Sequence, residues 1–124
     1  MSTDKTILIA EPTETLASEL LSFLREKGLI TIQARTLKET LLTLQGQRVD
    51  VLVLDASLLE EDYEFIKIIK GLEEDLPVIL CAEINTPEIE GKVRQERIFF
   101  YHIRSFGTQD LQMAISNAIN RPAN

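Results

Sequence analysis

Acids and an arginine stand where apolar runs end. Glu11 follows KTILIA, Asp55 closes DVLVLD, Ala82 and Glu83 end LPVILCA, and Arg104 follows IFFYHI. Carboxylates gathered without a cation repel one another, so such a set invites a divalent ion or the Arg104 guanidinium. Competing chemistries lack their parts. The first turn, AEPTET, has no glycine and builds neither a dinucleotide fingerprint nor a P-loop. There is no Gly-x-Ser-x-Gly elbow, and His102 has no evident serine partner. Cys81 lies inside an apolar run and reads as an inert core thiol. With one cysteine and one histidine, an internal disulfide, a thiolate cluster and a His-rich metal site are excluded.

These residues need elements to position them. Lys5–Ala10 is a short, nearly continuous apolar run, suited to a strand buried on both faces. Leu16, Leu20, Leu21 and Leu24 then recur at helical spacing, with Glu14, Glu19 and Glu26 on other faces, and Gly28 stops the helix. Leu29–Ala34 reads as a second strand. Thr36 and Glu39 form a capping-box pattern before the stripe Leu37, Leu41 and Leu44, which Gly46 ends. Asp50–Asp55 is the most hydrophobic strand candidate. The Glu60-Glu61-Asp62 run reads as a solvated loop.

Phe65, Ile66, Ile69 and Leu72 mark a third helix, and Leu76–Ala82 a fourth strand, with Pro77 near its start. Thr86-Pro87 opens a fourth helix that Gly91 interrupts and few apolar residues support. Ile98–Ile103 is a fifth strand, on which His102 reads as a surface residue. Thr108 caps a last helix with Leu111, Ala114, Ile115, Ala118 and Ile119 on one side.

This alternation predicts an α/β fold: a flavodoxin-like, doubly wound, five-stranded parallel sheet of order 2-1-3-4-5 with five helices, over residues 1–124 as one domain. Sites in such sheets form beyond the carboxyl ends of the strands, beside the switch point between the first and third. Glu11, Asp55, Glu83 and Arg104 are therefore expected on one edge.

Composition narrows the partners. Acids outnumber bases 20 to 13, a formal charge of −7, which opposes binding to nucleic acid or an anionic membrane surface. No apolar run approaches bilayer length, and Met1–Lys5 lacks the form of a signal peptide. The expectation is a cytoplasmic protein.

From Lys5 to Ile119 the chain resembles the receiver domain of two-component response regulators. KTILIAEPTE matches the first segment, with Glu11 and Pro12 at the family's acidic pair. VDVLVLD places Asp55 on the phosphoacceptor position, and LPVILCA places Ala82 where a Thr or Ser is usual. YHIRSF puts Arg104 on the lysine, Ser105 on the proline and Phe106 on the following aromatic, with Tyr101 at the aromatic switch position. The usual glycine after the phosphoacceptor loop is absent, with Tyr63 near its place.

The resemblance implies a non-enzymatic phosphorelay module in signal transduction, with Asp55 at a degenerate phosphoacceptor position. Its partners would be a sensor histidine kinase or phosphotransfer protein, together with a protein, or a second copy in a homodimer, on the face of the fourth helix, fifth strand and fifth helix. It also implies Mg2+ held by Glu11, Asp55 and the carbonyl of Ser57. Pro12 supplies no ligand oxygen, so the expected affinity is low, with water completing the shell. Ala82 cannot donate to a phosphate, and Arg104 can clamp either a phosphoryl group or Asp55 itself. The alternatives are a phosphorylation-independent pseudo-receiver scaffold fixed by an Arg104–Asp55 pair and, further off, a small enzyme on the same fold.

Overall fold

Continuous β-branched and leucine runs give the centre of the molecule. The computed structural model describes residues 4–60 and 62–121, so Glu61 and both chain ends lie outside the described residues. Strands β1 (Thr6–Ala10), β2 (Ile30–Ala34), β3 (Val51–Asp55), β4 (Val78–Ala82) and β5 (Phe100–Ile103) alternate with helices α1 (Thr15–Glu26), α2 (Leu37–Gly46), α3 (Glu64–Leu72), α4 (Pro87–Gln95) and α5 (Gln109–Asn120). The sheet is parallel, in the expected order β2-β1-β3-β4-β5. Every residue of β3 and β4 is buried, as two-sided packing requires.

Alternation along the strands splits the interior into two cores. Ile7, Ile9, Val53, Ile79 and Cys81 pack with Leu16, Leu20 and Leu24 of α1 and Leu111 and Ile115 of α5. Leu8, Leu52, Leu54 and Leu80 pack with Leu44 of α2, Ile66 and Ile69 of α3, and Ile89 of α4. Among the described residues no helix is long and apolar enough to cross a membrane.

Helix ends follow the capping signals in part. The Thr36 side chain accepts from the Glu39 amide at 3.0 Å, while the Glu39 carboxylate reaches back to the Arg35 amide at 2.9 Å. Thr86 accepts from the Ile89 amide at 3.2 Å, with Pro87 in the first turn. The helix over Gly91 holds because Ile89 is buried, Arg94 pairs with Glu90, and Lys92 pairs with Glu64 of α3.

Three expectations are corrected. Leu21 is exposed, because it follows Leu20 by 100° of helix and leaves the buried stripe, where Ala17 packs instead. Thr108 makes no side-chain cap, since its backbone is helical rather than extended. His102 is not on the surface: it is 1 % exposed. Phe100 packs on the α1/α5 core while Tyr101 and Ile103 pack on the other, so the period of two turns His102 inward beside α5. Its Nδ1 lies 3.0 Å from Oδ1 of Asp110, in contact but outside hydrogen-bond geometry. The loop reading of Glu60 and Asp62 holds, as both are exposed.

Candidate functional site

Asp55 ends the central strand, where the ladder stops and the backbone turns into a short 3-10 segment, Ala56–Leu59. Its carboxylate serves that turn first: Oδ1 accepts from the Ser57 amide at 3.0 Å. Oδ2 faces the guanidinium of Arg104 at 3.9 Å. At about 4 Å two opposite charges attract by about 4 kcal/mol at an effective dielectric of 20, before desolvation is subtracted. Asp55 is 8 % exposed, so this partner matters more than it would on an open surface.

Arg104 leaves β5 into its own 3-10 turn, Arg104–Phe106. Its second terminal nitrogen donates to Oε1 of Glu19, on α1, at 3.4 Å. The guanidinium therefore bridges the Asp55 carboxylate and an acid from a helix. Pairing of Arg104 with a carboxyl-edge acid was legible from charge alone. Glu19 was not, because the helical pattern puts it only on a non-buried face of α1.

Glu11 plays a different part. It is 1 % exposed, and both oxygens are engaged: Oε1 accepts from the Leu16 amide at 2.9 Å and Oε2 from the Ala17 amide at 3.0 Å. The carboxylate thus caps α1, where the helix dipole favours negative charge. Glu14, at the cap position itself, makes no side-chain cap and pairs with Arg35.

Beside Asp55 opens a cavity of about 510 Å³. Asp55, Ser57, Ala82, Glu83 and Arg104 line it together with Pro12, Tyr63 and the threonines 13, 15 and 86. Glu11 is absent from the lining. Ala82 sits where the cavity meets β4 and offers only a methyl group. A larger cavity of about 590 Å³ lies at the opposite edge of the sheet, near Lys5, Asp50 and Pro77, away from this chemistry.

Tyr101 lies outside the cavity lining. Its hydroxyl donates to Oδ1 of Asn85 at 2.9 Å, while Asn85 donates to Glu90 at 2.6 Å. Burial, with the charge of Glu90 and then Tyr63, raises the Tyr101 pKa. Glu90 is held below the usual carboxylate range, chiefly by the Asn85 hydrogen bond. Cys81 pairs in register with both Asp55 and His102, and burial pushes its thiol far up, as an inert core thiol requires.

The donors present fit a resident divalent cation poorly. Among the described residues no group of three or more His, Cys, Asp or Glu side chains is placed to hold a metal ion. Pro12 adds no side-chain oxygen, both Glu11 oxygens already accept helix amides, and Arg104 supplies positive charge at Asp55.

No family model matches the chain, and no curated relative matches it. Solved structures do. A response regulator receiver domain protein (CheY-like) from Methanospirillum hungatei JF-1 is similar with a TM-score of 0.84 and 18% identity, over 95% of this chain and 95% of that one. A response regulator receiver domain protein from Clostridium thermocellum gives 0.80 and 23%, over 94% and 95%. A response regulator protein from Burkholderia pseudomallei, solved with a phosphorylated aspartic acid, calcium ion and citrate, gives 0.77 and 18%, over 93% of this chain and 69% of that one. At such identities the likeness is one of fold: the receiver-domain form of the flavodoxin-like sheet.

Proposed function

We propose that the chain is a receiver-like module of two-component signal transduction, working through protein–protein contacts, with Asp55 as its phosphoacceptor. The observation that carries this reading is the place of Asp55. It ends the central strand beside an open cavity, with one oxygen fixed by the Ser57 amide and the other toward Arg104. The likeness in fold to a response regulator solved with a phosphorylated aspartic acid supports it.

Oδ2 of Asp55 attacks the phosphorus of an incoming phosphohistidine or acyl phosphate. A new O–P bond forms, the N–P or O–P bond of the donor breaks, and the donor departs with the electron pair. Arg104 neutralises charge on the transferred group, the part that its planar fork suits. A sensor histidine kinase or phosphotransfer protein is the donor this chemistry calls for. The output contact falls on α4, β5 and α5.

A second reading is favoured by Ala82 and Arg104 together. Ala82 has no hydroxyl to close over a phosphoryl group, and Arg104 already stands beside unmodified Asp55. A domain built so serves as a scaffold fixed in one state.

Intact-mass measurement after exposure to acetyl phosphate, with and without Mg2+, separates the two. The receiver reading expects the mass to rise by one phosphoryl group, and the gain to vanish in Asp55→Asn. It expects faster labelling when Pro12→Asp, Ala82→Thr and Arg104→Lys are combined. Labelling of the triple variant alone selects the scaffold.

A further inference from the structure

Arg104 is the cation placed at Asp55, yet its shorter contact is elsewhere: 3.4 Å to Glu19 with hydrogen-bond geometry, against 3.9 Å to Asp55 without it. A guanidinium shared between two carboxylates is held less closely to either than one committed to a single bidentate pair. Oδ1 of Asp55 is already held by the Ser57 amide, so Oδ2 is the oxygen left for chemistry, and it is the one Arg104 approaches.

We propose that Glu19 is a positioning residue, sharing the Arg104 guanidinium and so keeping it from closing on the Asp55 carboxylate.

The surroundings suit that part. The Glu11 carboxylate pins the first turn of α1 to the end of β1, which fixes Glu19 relative to the edge of the sheet. Glu14, the other acid near that end of α1, is taken by Arg35 and does not compete. The Arg104 side chain is 21% exposed, so it responds to the charges facing it, whereas Glu19 at 42% stays open to solvent and to any approaching protein. A cationic group of a partner that paired with Glu19 would release Arg104 toward Asp55. The site therefore has a handle on the outer surface of a helix.

The inference rests on the phosphoacceptor reading for its rate test and not for its spectroscopic one. In the whole chain, Glu19→Gln, Arg104→Ala and the double variant are compared with wild type for acetyl phosphate labelling. Glu19→Gln is expected to slow labelling by about two- to five-fold, the range open to a partly exposed ion pair. The slowing should disappear in the Arg104→Ala background. Equal slowing in both backgrounds would mean that Glu19 acts through the folding of α1, and would overturn the proposal. So would no slowing in either.

The guanidinium NMR resonances of Arg104, identified by their loss in Arg104→Ala, are expected to move in Glu19→Gln and again in Asp55→Asn. Resonances unmoved by Glu19→Gln overturn the proposal whatever the labelling. Moved resonances in a protein that takes no label overturn the phosphoacceptor reading and support the position assigned to Glu19.

Discussion

Glu11 and Asp55 are both carboxylates at strand ends, and the fold uses them in different ways. Asp55 keeps one oxygen toward the cavity and Arg104, whereas Glu11 gives both oxygens to the amides of Leu16 and Ala17. A buried carboxylate with two charge-assisted bonds at a helix start is a structural part, whatever else it does. Glu11→Gln keeps the size but leaves an amide NH2 against a backbone N–H. The expected loss is about 1–3 kcal/mol of stability, read from urea unfolding. If Glu11 acted only as a charge repelling Asp55, the same change would be neutral or stabilising. The sequence could show that Glu11 ends a strand and that an acid favours a helix start. It could not show that the side chain reaches the amides five and six residues on, because that depends on how the turn Pro12–Glu14 folds back.

The helices differ in how much of their stability is local. α4 contains Gly91, carries a single buried residue, Ile89, and leans on the Glu90–Arg94 and Lys92–Glu64 pairs. A methyl group added at Gly91 meets nothing within 4 Å. Gly91→Ala should therefore stabilise the protein by about 0.5–1 kcal/mol, through the lower entropy of the unfolded chain. A rise in the denaturation midpoint with unchanged slope is the expected record; a fall would show that α4 needs the glycine for some contact or motion. At this scale the sequence was most readable. Five apolar runs gave five strands, and the strength of DVLVLD reflected a strand buried on both faces. Legibility failed where the outcome turned on the neighbour across a gap. His102 reads as polar and strand-borne, and only the pairing of β5 with β4 sets which way it faces. Glu19 reads as a helix-surface acid until α1 is laid beside the end of β5.

On the scale of the whole molecule, the charge of −7 sets two copies against each other, so association between copies is expected to draw on apolar contact. Nine large apolar side chains are exposed among the described residues, and five of them lie on β2 and the first three helices. Scattered exposure of that kind is ordinary. The other four, Ile84, Phe99, Phe106 and Met113, lie on or beside the elements from the end of β4 to α5, and three of them are more than 60 % exposed. Phe106, at 75 %, directly follows the Arg104–Ser105 pair and joins the site edge to α5. A partner seated there would sense both a change at Asp55 and the position of Tyr101, whose hydroxyl is tied through Asn85 to Glu90 of α4. Phe106→Glu should therefore weaken association with a second copy or a partner while leaving thermal stability within about 0.5 kcal/mol, since the ring contributes little to the core. Sedimentation at raised salt, where charge repulsion between copies is screened, is the measurement that shows it. Ile68→Glu on α3, at another exposed apolar side chain, serves as the reference. Association lost with Ile68→Glu and retained with Phe106→Glu would move the contact to the surface of α3 and detach it from the Arg104 edge.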